Sequence, residues 1–297
     1  MLSILIPTYN YNAFSLVEEL NNQALATGIK YEIIVLDDGS TDKIFLKENA
    51  KINTLKNCSY DVLDKNIGRS AIRNLLAKTA RYNWLLFMDC DTLPRKGKFI
   101  ITYINAIAEN NSIVFGGIAY KKEKPETERL LRWKYGTNRE EINISERKNN
   151  PYNTTLTSNI LIKKEVFDSV KFDKRINKYG YEDLVFIQYL KSKNYQIHHI
   201  DNATYHLNYE KSSEFLTKTK RALETLKYIE ENNILISTET KIQKIYQLIT
   251  RMKLSKVIIF IFSRFKNIAE HNLLSENPSL FVFDLYKLGY FCLIKSK

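Results

Sequence analysis

The sequence predicts an α/β fold in which a mostly parallel sheet is covered by helices on both faces. Three apolar runs, at 2–6, 33–36 and 82–86, have the composition of buried strands, and the first two lead through polar turns into helical patterns. Strands that alternate with helices favour a parallel sheet. Ligands of such a sheet bind beyond the carboxyl ends of its strands, which is where the acidic turns of this chain fall.

The first two strands end in loops of different character. The run 2–6 is predicted to end at Pro7, because proline cannot continue a central hydrogen-bond ladder, and the polar turn 8–12 and a helix follow. The run 33–36 ends in the acidic turn 37–42, whose Ser, Thr and Asp residues are typical of a helix start.

A third predicted strand, 58–63, leads to a glycine and two arginines at the start of a helix, namely Gly68, Arg69 and Arg73. Backbone N–H groups and the helix dipole favour an anion at such a place. The alternative is a helix whose arginines are merely solvated.

Two carboxylates, Asp89 and Asp91, follow the buried run 82–86. Burying an unpaired carboxylate costs several kcal/mol, so a partner is needed. A Mg²⁺ or Mn²⁺ ion bridged to phosphate oxygens would supply one, because both ions prefer oxygen ligands. A lone Asp-x-Asp also occurs in ordinary loops, so the assignment of this motif as a metal site depends on the other motifs in the chain.

The middle of the chain continues the alternation. We predict a helix at 99–108, a strand at 113–115 that runs into two glycines, and a strand at 156–162 followed by a short helix. The charged segment 121–150, anchored by Trp133 and Tyr135, is interpreted as a helix and a mobile loop that could serve as a lid.

A second acidic feature, Glu182-Asp183, precedes a helical stripe. Both residues could be ordinary first-turn acids, which the helix dipole favours, or functional carboxylates. Two short strands are predicted at 196–200 and 203–206. His206, at the end of the second, is either structural or a metal ligand.

Past residue 208 the composition changes. A charged helix is predicted at 210–232. The following segment, 241–297, contains ten Lys or Arg residues and only three acidic residues. We therefore predict a domain at 1–208 and a basic amphipathic helical extension at 209–297. The extension either packs on the main domain or lies on an anionic membrane surface.

Composition sets outer limits on function. The chain of 297 residues is 44% hydrophobic and 26% charged, as in soluble globular proteins, and its net charge of +12 favours an anionic partner. The three scattered cysteines form no CxxC pair, which indicates a reducing, intracellular setting. No signal peptide is predicted, and the apolar run 257–262 is far shorter than the roughly 20 residues that span a bilayer. We expect the protein to be cytoplasmic, a location that includes peripheral contact with the inner face of the cell membrane.

Five motifs, in order, resemble those of the inverting family 2 glycosyltransferases with a GT-A fold. They are SILIPTYN (3–10), IIVLDDGSTD (33–42), NIGRSAIRN (66–74), FMDCDT (87–92) and KYGYEDL (178–184). The last also resembles the galactosyltransferase-type Glu-Asp segment found in the N-acetylgalactosamine-transferring halves of bacterial chondroitin-type polymerases. The resemblance covers residues 1–208 and leaves the extension unassigned.

The resemblance implies a donor site for a UDP-sugar with Mn²⁺ or Mg²⁺ as the cofactor. Asp91 and His206 would ligate the metal, and Asp89 would reach the ribose or the metal shell. The remaining residues implied to lie around the uracil and the nucleotide are Pro7, Thr8, Tyr9, Asp38, Asn66, Gly68, Arg69 and Arg73.

The resemblance also implies the catalytic pair. Asp183 would be the general base that takes the proton of an acceptor hydroxyl, and Glu182 would bind the acceptor or donor sugar. A metal-dependent inverting transfer of a hexose or N-acetylhexosamine to a glycan or lipid-linked glycan, in cell-surface polysaccharide synthesis, is the expected activity. Trp133 and Tyr135 would either stack on a sugar or simply pack.

The chain lacks features of some members of the family, and other functions compete with the expected transferase activity. The chain lacks the Gln-x-x-Arg-Trp signature and the transmembrane tail of processive synthases, which favours single-sugar transfer. A non-catalytic nucleotide-sugar-binding subunit of an assembly complex is the main alternative. A nucleotidyltransferase would need a glycine-rich phosphate loop where Pro7-Thr8-Tyr9 stands, and nucleic-acid binding has no motif behind it.

Overall fold

The computed structural model describes residues 1–109, 111–235 and 240–296. The chain forms two compact units, each made of several segments. We call the first the sheet unit (Met1–Lys121, Arg139–Asn177 and Glu182–Asn208) and the second the helical unit (Lys122–Asn138, Lys178–Tyr181 and Tyr209–Lys297). The predicted extension 209–297 includes residues 236–239 and 297, which lie outside the described part of the chain.

The strands all belong to the sheet unit and are numbered in chain order. They are β1 (Leu2–Thr8), β2 (Tyr31–Asp37), β3 (Cys58–Val62), β4 (Trp84–Met88), β5 (Thr92–Pro94), β6 (Ile113–Phe115), β7 (Ile118–Ala119), β8 (Asn159–Lys163), β9 (His198–His199) and β10 (Thr204–His206).

The helices of the sheet unit cover its larger sheet, and those of the helical unit pack on one another. They are α1 (Phe14–Thr27), α2 (Lys43–Ala50), α3 (Arg69–Thr79), α4 (Phe99–Ala108), α5 (Leu130–Tyr135), α6 (Ile144–Asn149), α7 (Lys164–Val170), α8 (Glu182–Ser192), α9 (Ser212–Glu231), α10 (Lys241–Arg251), α11 (Ser255–Leu273) and α12 (Leu280–Lys295).

The larger sheet has the order β3-β2-β1-β4-β8-β6-β9, with β1 parallel to both β2 and β4 and with β8 antiparallel to its two neighbours. Alternate residues of β1 supply two separate cores. Ile4 packs in the core that includes α1 and α4, whereas Leu5 packs in the core that includes α3 and α8. This architecture confirms the predicted α/β class with a mostly parallel sheet flanked by helices.

The first strand runs further than predicted. β1 continues through Pro7 to Thr8, pairing with β2 as far as Asp37. The ladder between β1 and β4 has already ended at Leu5, so Pro7 lies where β1 has a single neighbour and its missing N–H is tolerated. The prediction that the strand ends before Pro7 was therefore wrong.

The predicted strand 156–162 also begins too early, since β8 starts at Asn159. The preceding residues bond elsewhere: Thr157 bonds to Asp183, and the Ser158 carbonyl accepts the N–H of Asp89. These contacts replace a sheet ladder over 156–158 and bring that loop to the end of β4.

Beyond residue 121 the chain is more helical than the sequence indicates. Segment 121–150 contains α5, a π-helical turn at Gly136–Glu140 and α6. In the helical unit, the Tyr135 ring packs on Phe215 and Phe283, which favours a packing role for this tyrosine. Among the described residues, none of the helices combines the length and the apolar character needed to cross a membrane.

Candidate active site

The loops after β1 and β2 are tied to each other beside the carboxyl edge of the sheet. The side chain of Asn10 accepts the N–H groups of Thr41 and Asp42, at 2.9 and 3.1 Å. Thr8 is buried, whereas Tyr9, predicted to line a base pocket, has half of its surface exposed (49%). An exposed aromatic ring on a fixed loop is available to stack on a planar ligand.

Asp38 holds the loop that begins α3. Its carboxylate accepts the backbone N–H of Ile67 at 2.7 Å and that of Gly68 at 3.1 Å. Burial raises the pKa of Asp38, against the lowering effect of these donors. Gly68 has a φ of +87°, a left-handed conformation that favours glycine, directly before Arg69. Asp38 and Gly68 thus fix the start of a helix that carries the two predicted nucleotide-site arginines.

Arg73 connects the two acidic motifs. Its guanidinium is almost fully buried and donates to Asp89 Oδ1 at 2.7 Å, while Nη1 lies 3.8 Å from Glu182 Oε1. The more exposed Arg69 spans the same two carboxylates, with Nε 2.8 Å from Glu182 and Nη2 3.6 Å from Asp89. Burial raises the pKa of Asp89, but Arg73 and Arg69 outweigh it, so the net pKa is lowered. The arginines that sequence analysis left as either anion-binding or solvated are therefore partners of carboxylates.

Asp91 and His206 come together through the smaller sheet, whose order is β5-β10-β7. Antiparallel pairing sets His206 opposite Thr92, and the N–H of Leu207 donates to the Asp91 carbonyl at 2.8 Å. Nε2 of His206 then lies 3.8 Å from Asp91 Oδ2. Both side chains keep some exposure, 15% and 22%, so the pair remains open to a ligand.

Tyr120, which sequence analysis did not identify, supports His206. The two rings stack with centroids 5.6 Å apart and an interplanar angle of 20°. The Tyr120 hydroxyl donates to Glu140, and its backbone N–H donates to Glu141 at 3.1 Å. No local signal in the sequence distinguishes Tyr120 from a core tyrosine, because its role arises from the pairing of β7 with β10.

Asp183 lies in the first turn of α8 and is held by a second residue that sequence analysis missed. The hydroxyl of the fully buried Thr157 donates to Asp183 Oδ1 at 2.5 Å. Burial and the neighbouring Glu182 raise the pKa of Asp183, while Arg73 and Arg69 oppose the shift. A carboxylate with a raised pKa and a fixed orientation has the properties required of a general base.

The structure thus brings the predicted residues into two linked groups. One contains the loops after β1 and β2 with the start of α3, and the other joins the two acidic motifs through arginines. Across residues 1–109, 111–235 and 240–296, no three His, Cys, Asp or Glu side chains cluster as a protein-only metal site would. The metal role of Asp89, Asp91 and His206 stays a prediction.

The sequence profile of the glycosyl transferase family 2 matches residues 3–170, more than half of the chain. The chain belongs to glycosyltransferase family 2. The match contains the loops after β1 and β2, the start of α3 and the Asp89–Asp91 turn. The Glu182-Asp183 pair and the whole helical extension lie beyond it.

Curated relatives are glycosyltransferases matched over part of their length. An uncharacterized glycosyltransferase of Haemophilus influenzae is 31% identical over 121 residues, which is 39% of this chain and 37% of that protein. The chondroitin synthase of Escherichia coli is 33% identical over 123 residues, 39% of this chain and 17% of the synthase. That of Pasteurella multocida is 31% identical over 118 residues, 39% of this chain and 12% of the synthase. The alignments therefore span less than two fifths of these relatives.

Among solved structures, Staphylococcus aureus TarS 1–349 is similar to this family 2 glycosyltransferase. It superimposes with a TM-score of 0.49 at 17% identity, covering 100% of this chain and 92% of that one.

Proposed function

We propose that this family 2 glycosyltransferase moves a hexose or N-acetylhexosamine from a UDP-sugar to a hydroxyl of a glycan or lipid-linked glycan acceptor, with inversion at the anomeric carbon. The observation that carries the proposal is the buried guanidinium of Arg73, which lies between Asp89 and Glu182. It links the Asp89–Asp91 turn to the Glu182-Asp183 pair, so leaving-group stabilisation and proton removal can occur at one site.

The donor's uridine would lie at the ends of β1 and β2. The exposed ring of Tyr9 and the backbone of Pro7 and Thr8 would line the base, with Asp38 nearby. Arg69 is 42% exposed, so its guanidinium can turn part of its surface to the diphosphate. Asn66, on the exposed loop before Gly68, would also lie beside the nucleotide.

Asp91 and His206 would hold a Mn²⁺ or Mg²⁺ ion at the donor site. Their side chains lie 3.8 Å apart and would supply two ligand groups, an oxygen and a nitrogen. When bound, the ion would stabilise the negative charge that develops on the departing diphosphate. Asp89 pairs with two arginines, so we assign it to the outer metal shell or the ribose.

Asp183 would act on the acceptor. As the acceptor oxygen bonds to the anomeric carbon from the face opposite the diphosphate, the bond from that carbon to the phosphate oxygen breaks and UDP departs. The hydroxyl proton passes to Asp183, whose orientation is held by Thr157. A single displacement converts an α-linked donor into a β-linked product. Glu182, held by Arg69, would bind a sugar hydroxyl beside the base.

A donor screen tests this proposal. The purified protein is incubated with Mn²⁺, oligosaccharide acceptors and a panel of UDP-hexoses and UDP-N-acetylhexosamines, and acceptor-dependent UDP release is measured. We expect one donor class to support release that EDTA abolishes. Tight UDP binding with no transfer from any donor would contradict the proposal and favour the non-catalytic subunit.

We further propose that the helical unit contacts an anionic membrane surface. One face of α11 carries apolar side chains that are 47% to 72% exposed, although the opposite face is buried through Phe262 and Leu273. These exposed residues are Val257, Phe260, Ile261, Phe265 and Ile268. At 100° per residue they occupy one side of the helix, as in helices that lie in a membrane interface.

Charge favours a lipid surface over a second copy of the chain. Segment 241–297 has ten basic and three acidic residues, so two copies would oppose like charges, whereas anionic headgroups would neutralise them. Burial of the apolar face of α11 and neutralisation of the excess positive charge of segment 241–297 would then occur together.

Vesicle flotation with the full chain tests this contact. We expect binding to phosphatidylserine-containing vesicles, weak binding to phosphatidylcholine vesicles, and several-fold loss in a Phe260→Ser/Ile268→Ser variant. Ile44→Ser is the matched control, because Ile44 is equally exposed (71%) but lies in the sheet unit. Equal flotation of the two variants, or no flotation of the wild type, would contradict the membrane proposal.

A further inference from the structure

Helices α11 and α12, both in the helical unit, line a groove of about 180 Å³. Its floor consists of two buried aromatic side chains, Phe262 and Tyr286, whose rings meet edge to face with centroids 5.4 Å apart. Its rim consists of three side chains that are 47% to 54% exposed, namely Ile261, Phe265 and Leu285. The groove therefore opens between the two helices above a hydrocarbon floor.

Small residues on both helices shape this groove. Gly289 of α12 lies against the Phe262 ring, and a Cβ at that position would be 2.4 Å from a ring carbon. Glycine thus lets α12 approach the floor of the groove closely. Ala269 of α11 also lines the groove, where a larger side chain would occupy part of its volume.

The two polar side chains of the lining meet at Glu270. The Tyr286 hydroxyl donates to Glu270 Oε1 at 2.5 Å, and the ammonium of Lys266 lies 3.8 Å from the same oxygen. The Lys266 side chain is 42% exposed, so its ammonium can also meet an anion outside the groove. The other lining side chains are hydrocarbon. The groove thus combines an apolar body with one cationic group at its edge.

The volume of the groove decides which kind of apolar ligand fits. An engineered protein cavity of about 150 Å³ holds one benzene molecule, so a groove of about 180 Å³ holds a segment of roughly six carbon atoms. A helix with its side chains is about 10 Å across and is too wide for that volume. A single alkyl chain fits it.

The surroundings of the groove favour the chain of an anionic lipid. The rim residues Ile261 and Phe265 also belong to the exposed face of α11 for which we propose a membrane contact, so the groove opens onto that face. Segment 241–297 carries ten basic and three acidic residues, which attract an anionic headgroup. A chain in the groove and a headgroup beside Lys266 would satisfy both features together.

We infer that this groove binds one acyl chain of an anionic membrane lipid, with the headgroup beside Lys266. The inference rests on the proposed membrane contact and is independent of sugar transfer. The helical unit then holds an individual lipid molecule in addition to lying on a lipid surface. Each methylene that enters the groove should raise the affinity about fourfold.

The test is titration calorimetry of the full chain with straight-chain fatty acids, from hexanoate to dodecanoate, as monomers and without vesicles. Ala269→Phe places a ring in the groove. Asn267→Phe is the matched control, because it adds the same ring to an exposed position of the same helix outside the groove lining. The Tm of each variant is measured on the same preparation.

We expect one fatty acid to bind per chain, with an affinity that rises about fourfold per methylene until roughly six carbons are buried and then levels off. Ale269→Phe should bind at least tenfold more weakly, and Asn267→Phe should match the wild type. Affinity that does not depend on chain length would overturn the inference, and so would wild-type affinity in a folded Ala269→Phe. The chain-length series on the wild type decides the question even where Ala269→Phe does not fold.

Vesicle flotation separates this inference from the membrane contact on which it rests. Flotation of the wild type without fatty-acid binding would overturn the groove as a lipid site and leave the membrane contact standing. Fatty-acid binding without flotation would overturn the membrane contact, and with it a membrane lipid as the occupant. Neither measurement uses a UDP-sugar, so failure of the proposed transferase activity is detected separately.

Discussion

The hydroxyl of Thr157 donates a 2.5 Å hydrogen bond to Oδ1 of Asp183. Thr157 lies in the loop before β8 and Asp183 lies in the first turn of α8, so this bond fixes the proposed base from a separate element. One oxygen of the carboxylate is thereby occupied, and Oδ2 is the atom we assign to proton transfer.

Substituting Thr157 should weaken catalysis without weakening donor binding. We expect Thr157→Val to lower kcat by roughly 10-fold, because Asp183 loses a fixed orientation, while the Kd for UDP is unchanged. Steady-state kinetics and calorimetry check this. Thr154→Val is the control, since the Thr154 hydroxyl lies near the backbone carbonyls of Arg147 and Asn150 at the end of α6 and not near Asp183. A kcat equal to that of the control would contradict the assigned role.

The pH dependence of transfer should report the environment of Asp183. Burial and Glu182 raise the pKa of Asp183 above 3.8, and only the carboxylate form can accept a proton. Activity should therefore fall as the pH drops through this raised pKa. Because the Thr157 hydroxyl stabilises the charged form, Thr157→Val should move the acid limb of kcat/KM to higher pH. Superimposable acid limbs for wild type and variant would contradict this.

Metal-dependent nucleotide affinity should depend on Asp91 and His206. We expect Asp91→Ala and His206→Ala to abolish the increase in UDP affinity caused by Mn²⁺ and to leave the metal-free affinity unchanged, because only the metal's protein ligands are lost. Titration calorimetry with and without Mn²⁺ measures both values. The control is His198→Ala, since His198 is an exposed residue of β9. If Mn²⁺ still increased the UDP affinity of both Asp91→Ala and His206→Ala, the assignment of these residues as metal ligands would be contradicted.

The sequence predicted where the strands end better than it predicted which side chains contact one another beyond those ends. Apolar runs followed by acidic turns indicate where β2 and β4 end, and parallel packing predicts that their loops share one edge. The contact of Asp91 with His206 depends on the pairing of β5 with β10, two short strands far apart in the chain. Such nonlocal pairing leaves little periodic signal.

Other features depended on packing that the pattern does not encode. Thr157 is one of several hydroxyl residues in its loop, and only the folded chain selects it as the partner of Asp183. Arg73 has the sequence context of a phosphate ligand, yet burial pairs it with Asp89. The helix-dipole argument could not distinguish these two uses of an arginine.

Arg73 should also stabilise the fold. Arg73→Met would leave Asp89 and Glu182 without their buried partner, and we expect the free energy of unfolding to fall by about 3–5 kcal/mol in urea titrations. Lys51→Met, which breaks an exposed ion pair with Glu48, is the control and should cost at most about 1 kcal/mol. Equal stability losses would show that Arg73 is not a central partner of the two acidic motifs.

The most direct test of the central claim is transfer and UDP binding by Asp183→Asn, measured on the same preparation with Mn²⁺. The substitution keeps the size of the side chain and removes its basicity, so we expect kcat to fall by about 100-fold or more while the Kd for UDP and the Tm stay at wild-type values. Wild-type turnover by Asp183→Asn would contradict the assignment of Asp183 as the base.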